Sequence, residues 1–352
     1  YFNGGVAMTV ARSQLVDTNV TPWYHVISGT VRGALLLGEG GEDRKAWIEN
    51  RLEELTSIFA IEVAGFAVLD SHLHILVHLS PARVDGWSDE EVVRRWGRLV
   101  PLRGKDRKPL PVSDTWVKQQ LADPKFIEQA RKRLANLGWF MKSLKEPLAR
   151  LANREDGCRG AFWRSRYKSV AVLDTEALLA TCAYIDLNPV AAGIATLPEE
   201  SPYTSVHQRV EHCRKQGRLA DLQAARQGSV AATKLAAGLD DAHWLCPIND
   251  ARACGGERVG LLEGFSLGSY LQLVDWTGRL FRDGKARVSA EVAPILDRLG
   301  TTGEMWSETM KRLLAAPGRS MGVAFAFHRD RLREAAAHRG CHHLANLNGC
   351  RT

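Results

Sequence analysis

Asp70-Ser-His-Leu-His-Ile-Leu-Val-His-Leu79 is the stretch on which the reading of this chain turns. Side chains in a β-strand alternate between faces, so Leu73, Ile75, Val77 and Leu79 form one dry face. The opposite face carries His72, His74 and His78, with Leu76 between the last two. Two imidazoles two residues apart on one face stand about 7 Å apart along the strand and can chelate a divalent metal from a stiff platform. A half-buried strand whose wetter face happens to hold histidines is the plainer reading of the same pattern.

A second feature lies over a hundred residues downstream, in Tyr184-Ile-Asp-Leu-Asn188-Pro189. Asp174 or Thr175 suits a helix N-cap, Leu178, Leu179 and Cys182 recur at helical spacing, and Pro189 opposes continuation, which predicts a helix over 175–187. Tyr184 and Asn188 are four apart and share a face near its end, although a residue before proline is pushed away from helical geometry. Asp186 points elsewhere on the helix and is left out of the reacting set. Taken singly, a helix tyrosine is a packing residue and Asn-Pro a helix stop.

Together these elements resemble the single-tyrosine HUH transposases, and most closely the REP-associated tyrosine transposases of bacteria. The resemblance rests on ordered blocks: Pro22-Trp-Tyr-His-Val-Ile-Ser28, Phe66 to His74, Phe162-Trp-Arg-Ser-Arg-Tyr-Lys-Ser169 and Tyr184 to Gly193. It covers most of residues 20–205, and Tyr270-Leu-Gln-Leu-Val-Asp-Trp-Thr-Gly-Arg279 is similar to a segment of the long-form relatives. Asp70-Ser71 departs from the small or Pro-Asn-type residues common before the first histidine, but leaves both histidines intact.

The resemblance implies cleavage of single-stranded DNA by Tyr184, leaving a 5′-phosphotyrosine intermediate and a free 3′-hydroxyl. It also implies strand transfer at hairpin-forming repeated palindromes. His72 and His74, with Asn188 as third ligand, are expected to hold Mg²⁺ or Mn²⁺. A phenol is a poor nucleophile at neutral pH, and a phosphodiester under attack gathers negative charge, so a Lewis acid is needed. His78 and His25 are possible bases, although a packed or solvated histidine is the simpler assignment for each. A non-cutting binder of structured single-stranded DNA or RNA and a metal-dependent hydrolase are the competing readings.

The chain has 47 Lys and Arg against 40 Asp and Glu, a net charge of +7, which suits a polyanionic partner. Arg94, Arg95, Arg98, Arg103, Lys105, Arg107, Lys108, Arg131, Lys132, Arg133, Lys142 and Lys145 form a basic stretch interleaved with Trp96, Trp116, Trp139 and Phe140. Cations neutralise phosphates while bases stack on rings, so this stretch reads as a single-strand surface or, more plainly, as a solvated helix face. Arg164, Arg166, Tyr167 and Lys168 repeat the mixture. Arg279, Arg282, Lys285 and Arg287 follow Trp276 in the same way.

No apolar run approaches the roughly 20 residues of a membrane span, and seven scattered cysteines read as reduced thiols. The expectation is a cytoplasmic bacterial protein, associated with the nucleoid through DNA, acting as monomer or homodimer. Cys246, Cys254, Cys341 and Cys350 with His342 and His343 match no common zinc pattern. Residues 1–7 read as a tag remnant before Met8. The expected organisation is a transposase domain over 8–206 with a basic helical insertion at about 81–137, a linker over 207–245, and a helical accessory, DNA-binding domain over 246–352. Strands are predicted at 22–29, 61–69, 72–79 and 167–173, and helices at 43–59, 88–98, 125–152, 267–273, 292–299, 305–314 and 329–337. That order predicts an α+β fold with an antiparallel ferredoxin-like sheet and helices on one face.

Overall fold

The computed structural model of the chain describes residues 15–38, 44–106, 108–218, 238–239, 241–252 and 258–279. The expectations for residues 1–8, for Arg282, Lys285 and Arg287, and for the helices beyond residue 290 lie outside the described residues. The fold is α+β. Strands β1 (Trp23–Gly29), β2 (Ile61–Val68), β3 (His72–Leu79) and β4 (Lys168–Ala171) form one antiparallel sheet in the ferredoxin-like order β2-β3-β1-β4.

The turn between β2 and β3 is fastened from outside. Leu69 N donates to His72 O (2.9 Å), and Asp70 pairs with Lys45 at 2.5 Å and accepts from Leu37 N through its carbonyl (2.8 Å). Gly38 lies so close that a Cβ there would stand 2.3 Å from Asp70 Oδ1. Glycine is therefore required where the loop crosses the turn.

One face of the sheet carries Leu73, Ile75, Val77 and Leu79, buried with α1 (Arg44–Ile58), α3 (Asp89–Leu99), α5 (Pro124–Leu134) and α6 (Leu137–Glu155). Short helices α2 (Pro81–Asp85) and α4 (Asp114–Leu121) complete this layer. The predicted helix over 125–152 is two helices: Asn136 breaks it and caps α6 by accepting from Trp139 N.

Helices also cover the second face, beyond the one-sided layer expected from the sequence. It is closed by α7 (Thr175–Asp186) and α10 (Leu267–Arg279), which bury Ala64, Ala67 and Leu76 with Leu178, Cys182, Ile185, Tyr270 and Leu273. Gly65 lets them approach, since a Cβ there would stand 3.3 Å from Cys182 Sγ and 3.4 Å from Ser205 Oγ. A further short helix, α8 (Asn188–Ala191), follows α7 directly.

The stretch read as a linker from residue 207 instead starts inside a helix, α9 (Ser205–Lys215), whose Arg209 is wholly buried. Alternation alone could not show that the outer edge of β2 needs a cover. Residues distant in sequence provide it. Val63 O accepts from Cys246 N (2.8 Å), Ala64 O from Arg209 Nη2 (2.9 Å), Phe66 N donates to Ser205 Oγ (3.0 Å) and Val68 N to Tyr203 O (3.1 Å).

Candidate active site

The histidine face of β3 is drier than its sequence suggests. His74 is 3% exposed and His78 9%, while His72 is half-buried at the strand's start. His72 and His74 stand with ring centroids 5.0 Å apart. Across the sheet β1 pairs Ile27 with His74, which sets His25 beside it. His25 Nε2 lies 3.0 Å from His74 Nδ1, and the two rings stack at 5.1 Å.

Over this group hangs Tyr184, placed by α7. Asp174 starts the helix by accepting from Ala177 N (2.8 Å), and the small residues Ala180 and Ala183 are buried in the cluster that α7 forms on the sheet. The half-buried Tyr184 ring stands edge-on to His74 at 5.7 Å and to His25 at 6.2 Å. The sequence-predicted residues His72, His74 and Tyr184, over a hundred residues apart, are thus brought together.

Asn188 is not swung away from the helix. Leu187 absorbs the break at φ −89° and ψ −3°, and Asn188 opens α8 with Pro189 in the first turn, where its missing N–H costs nothing. The Asn188 amide donates to Tyr184 O at 2.9 Å, which fixes the side chain on the tyrosine's helix end.

Burial pushes the His72 imidazole below its ordinary range. It pushes His74 well below, with His25 and His72 adding like-charge repulsion, so both are neutral at pH 7. Ser71 Oγ lies 3.1 Å from His72 Nδ1, as His25 does from His74 Nδ1 at 3.0 Å. Neither Nε2 has a hydrogen bond among the described residues. Among those residues no group of three or more His, Cys, Asp or Glu has the spacing of a metal site, so any ion here would have to draw on amide, water or phosphate oxygens as well.

His78 does not join the group. Its ring packs on Trp23 at 4.6 Å, its Nδ1 lies 2.9 Å from Ser80 Oγ, and burial lowers its pKa to about 4. The residue that sequence reasoning underrated is His25. Only strand register could reveal it, because its contact with His74 is set by the β1–β3 pairing.

The cationic surface divides sharply. Arg131, expected from the sequence to contact phosphate, is engaged within the protein: it donates to Val84 O (2.6 Å) and Trp87 O (2.8 Å) and pairs with Asp89 (2.7 Å), tying α5 to the turn before α3. Lys132 pairs with Glu128 at 2.5 Å, and the Arg133 guanidinium lies 4.6 Å from the Trp139 ring centroid. Trp96, Phe140 and Tyr167, read as stacking platforms, are core residues. Arg164, Arg166 and Lys168 are different, being exposed with no ion pair or hydrogen bond from their side chains among the described residues.

They alternate along the chain, and Lys168 shares a row with Ile27 and His74 across the sheet. Beside them a groove of about 300 Å³ runs between α6 and residues 163–167, lined by Lys142, Lys145, Trp163 and Arg166 among others. Lys142 Nζ lies 4.7 Å from the Trp139 ring centroid. Arg279 ends α10, and its side chain, like Arg282 and Lys285, lies outside the described residues.

No family model matches the chain, and no curated protein does. Among solved structures it is similar to a REP-associated tyrosine transposase bound to a REP hairpin, at 14% identity over 54% of this chain and 78% of that one, with a TM-score of 0.31. No helix among the described residues is long and apolar enough to cross a membrane.

Proposed function

We propose that the chain is a site-specific single-stranded DNA endonuclease and strand transferase that acts on hairpin-forming repeats, with Tyr184 as nucleophile. The observation that carries this reading is the Tyr184 ring held against His74, with His72 beside it and Asn188 on the tyrosine's own helix end. Nothing in the packing of a structural tyrosine calls for two imidazoles at its ring.

In the proposed reaction a bond forms between the Tyr184 oxygen and the scissile phosphorus, and the bond from phosphorus to the 3′-oxygen breaks. The phenol proton leaves as the new bond forms, and the departing 3′-oxygen takes one up. The covalent ester keeps the phosphodiester energy, so attack by another DNA 3′-hydroxyl reverses the step and joins strands.

His72 and His74 would hold Mg²⁺ or Mn²⁺, with the Asn188 carbonyl as a third donor. Their neutral state and engaged Nδ1 atoms fit that role, since a ligating histidine presents one nitrogen while the other is fixed by a partner. When bound, such an ion supplies Lewis-acid stabilisation of charge on the phosphate oxygens. Ser71 and His25 orient the two imidazoles, and Tyr184 provides the attacking oxygen. Arg164, Arg166 and Lys168 offer the strand a row of uncommitted cations that leads to the His74 row.

Tyr184→Phe removes only the nucleophilic oxygen. The variant is expected to bind a single-stranded DNA hairpin like the parent and to form no covalent adduct on a denaturing gel with Mn²⁺. An adduct of parental yield excludes the assignment. Hairpin retention without cleavage by the parent chain would leave a binding protein, and cleavage that survives in the Phe variant would indicate a hydrolase.

A further inference from the structure

Two residues beyond Tyr184, on another side of α7, the Asp186 side chain is wholly buried and takes no part in the chemistry above. Its Oδ1 accepts from Val206 N (2.9 Å) and from Ser205 Oγ, and its Oδ2 accepts from the Tyr270 hydroxyl at 2.5 Å. Cys182 Sγ, one turn earlier on α7, lies 3.2 Å from the same hydroxyl. Arg209 of α9 stands near enough for its charge to act on Asp186, and donates to Ala64 O and Cys246 O. Three helices thus meet at one carboxyl group.

Apolar packing alone would bury this surface at less cost, because replacing buried polar clusters by hydrophobic residues is often neutral or stabilising. What the cluster adds is direction. Apolar contacts tolerate small rotations of a helix, whereas three hydrogen bonds to one carboxyl group fix both the turn and the height of α7. Tyr184 is carried on that helix, and a displacement of about 1 Å at a reacting group can cost ~10²-fold in rate.

We propose that Asp186 and Tyr270 are positioning residues, whose buried hydrogen bond clamps α7 to α10 and holds the Tyr184 ring against His74. The segment after residue 260 is then part of the reacting unit. The proposal rests on Tyr184 being the nucleophile.

The test uses the full chain and three variants. Tyr270→Phe keeps the ring and removes the clamp. Asp186→Asn keeps it, because the amide can donate to the Tyr270 oxygen while its carbonyl still accepts from Ser205 and Val206. Thr277→Val, two turns further along α10, alters a buried hydroxyl that has no hydrogen-bond partner among the described residues and controls for packing. For each, the melting temperature, the affinity for a single-stranded DNA hairpin, and the single-turnover rate of adduct formation at saturating hairpin and Mn²⁺ are measured.

Tyr270→Phe is expected to slow adduct formation about tenfold or more with hairpin affinity within about twofold, while Asp186→Asn and Thr277→Val stay within about threefold of the parent rate. A parental rate for Tyr270→Phe, measured well below its melting transition, overturns the clamp, as does equal slowing by all three variants. Should Tyr270→Phe not fold, Ser205→Ala loosens Asp186 from the other side, and a parental rate there overturns it equally. No adduct from the parent chain would remove the nucleophile assignment and the clamp with it. A parental adduct unaffected by Tyr270→Phe removes the clamp alone.

Discussion

The two faces of β3 are built from the same eight residues by the same alternation, yet they are held by different parts of the chain. The face of Leu73, Ile75, Val77 and Leu79 packs on α1 and on α3 to α6. Most of that cover comes from the residues following β3, and α1 precedes it closely. The face of His72, His74 and Leu76 is closed by α7 and α10, the latter nearly two hundred residues further on. The first face is a hydrophobic core that needs only volume and dryness. The second also holds a tyrosine ring against imidazoles, and ties one buried carboxyl group to three donors.

The harshest way to break this comparison is to end the chain at residue 245. That leaves the dry face almost untouched and strips Cys246, Ile248, Leu261, Phe265, Leu267, Tyr270 and Leu273 from the other. Buried side chains of this size contribute about 1.5–3 kcal/mol each, and together they rival the whole stability of a domain, roughly 5–15 kcal/mol. The truncated chain is expected to lose cooperative thermal unfolding and all adduct formation. A well-folded truncation, by circular dichroism, that still forms the Tyr184 adduct would show that α10 is a removable accessory.

Neighbouring substitutions on opposite faces sharpen the contrast. Ile75→Ala should cost about 2–5 kcal/mol of stability by opening a cavity, and in the fraction that stays folded the adduct rate should be little changed. His74→Ala should do the reverse, removing most cleavage while the hairpin affinity falls little, because affinity comes from many phosphate contacts. Urea unfolding and single-turnover cleavage, measured on both variants, check the pair. A His74→Ala enzyme that cuts at the parental rate across a Mn²⁺ titration refutes the metal assignment.

The dry face was legible because its signal is local: period two over 72–79 predicted the strand, its register on the core and the position of both histidines. The helix that carries Tyr184 was legible for the same reason, since its cap and stop are written in the sequence. His25 was not, since its contact with His74 depends on how β1 registers with β3. The engagement of Arg131 was hidden because a count of charges cannot see the carbonyls of Val84 and Trp87 that it serves. The Asp186–Tyr270 contact spans 84 residues, and the linker reading hid α9 because polar composition does not reveal that one of its arginines is buried.

The faces also differ in how they answer to pH. On the dry side burial raises the Tyr24 phenol, which stays neutral throughout, whereas burial holds His78 at about 4 and, near the outer edge of β2, His243 at about 3, against an ordinary value of 6.5. Such groups are neutral when folded and protonated when unfolded between those limits, so the unfolded chain binds more protons there. Stability is therefore fully present above about pH 6.5 and lost as pH falls from there toward 4. The melting temperature in the absence of divalent metal should fall over that window, and His78→Gln should make the fall shallower. An unchanged slope would mean that His78 is solvated in solution.

The smallest expected effects lie at the rim of the histidine face, where the sequence treated all cations alike. Arg166 is exposed, lines the groove beside α6 and alternates with Arg164 and Lys168 toward the His74 row. Arg131 is committed to two carbonyls and Asp89. Arg166→Gln should therefore weaken hairpin binding severalfold and lower the slope of log affinity against log salt by about 0.7, the value for one single-strand phosphate contact. Arg131→Gln leaves buried acceptors unserved and should cost about 1–3 kcal/mol of stability without changing that slope. Salt titrations of fluorescence anisotropy on a labelled hairpin, beside urea unfolding, separate the two. If Arg131→Gln changes the slope and Arg166→Gln does not, the strand runs over the helical layer on the dry side, and the rim of the histidine face is not its path.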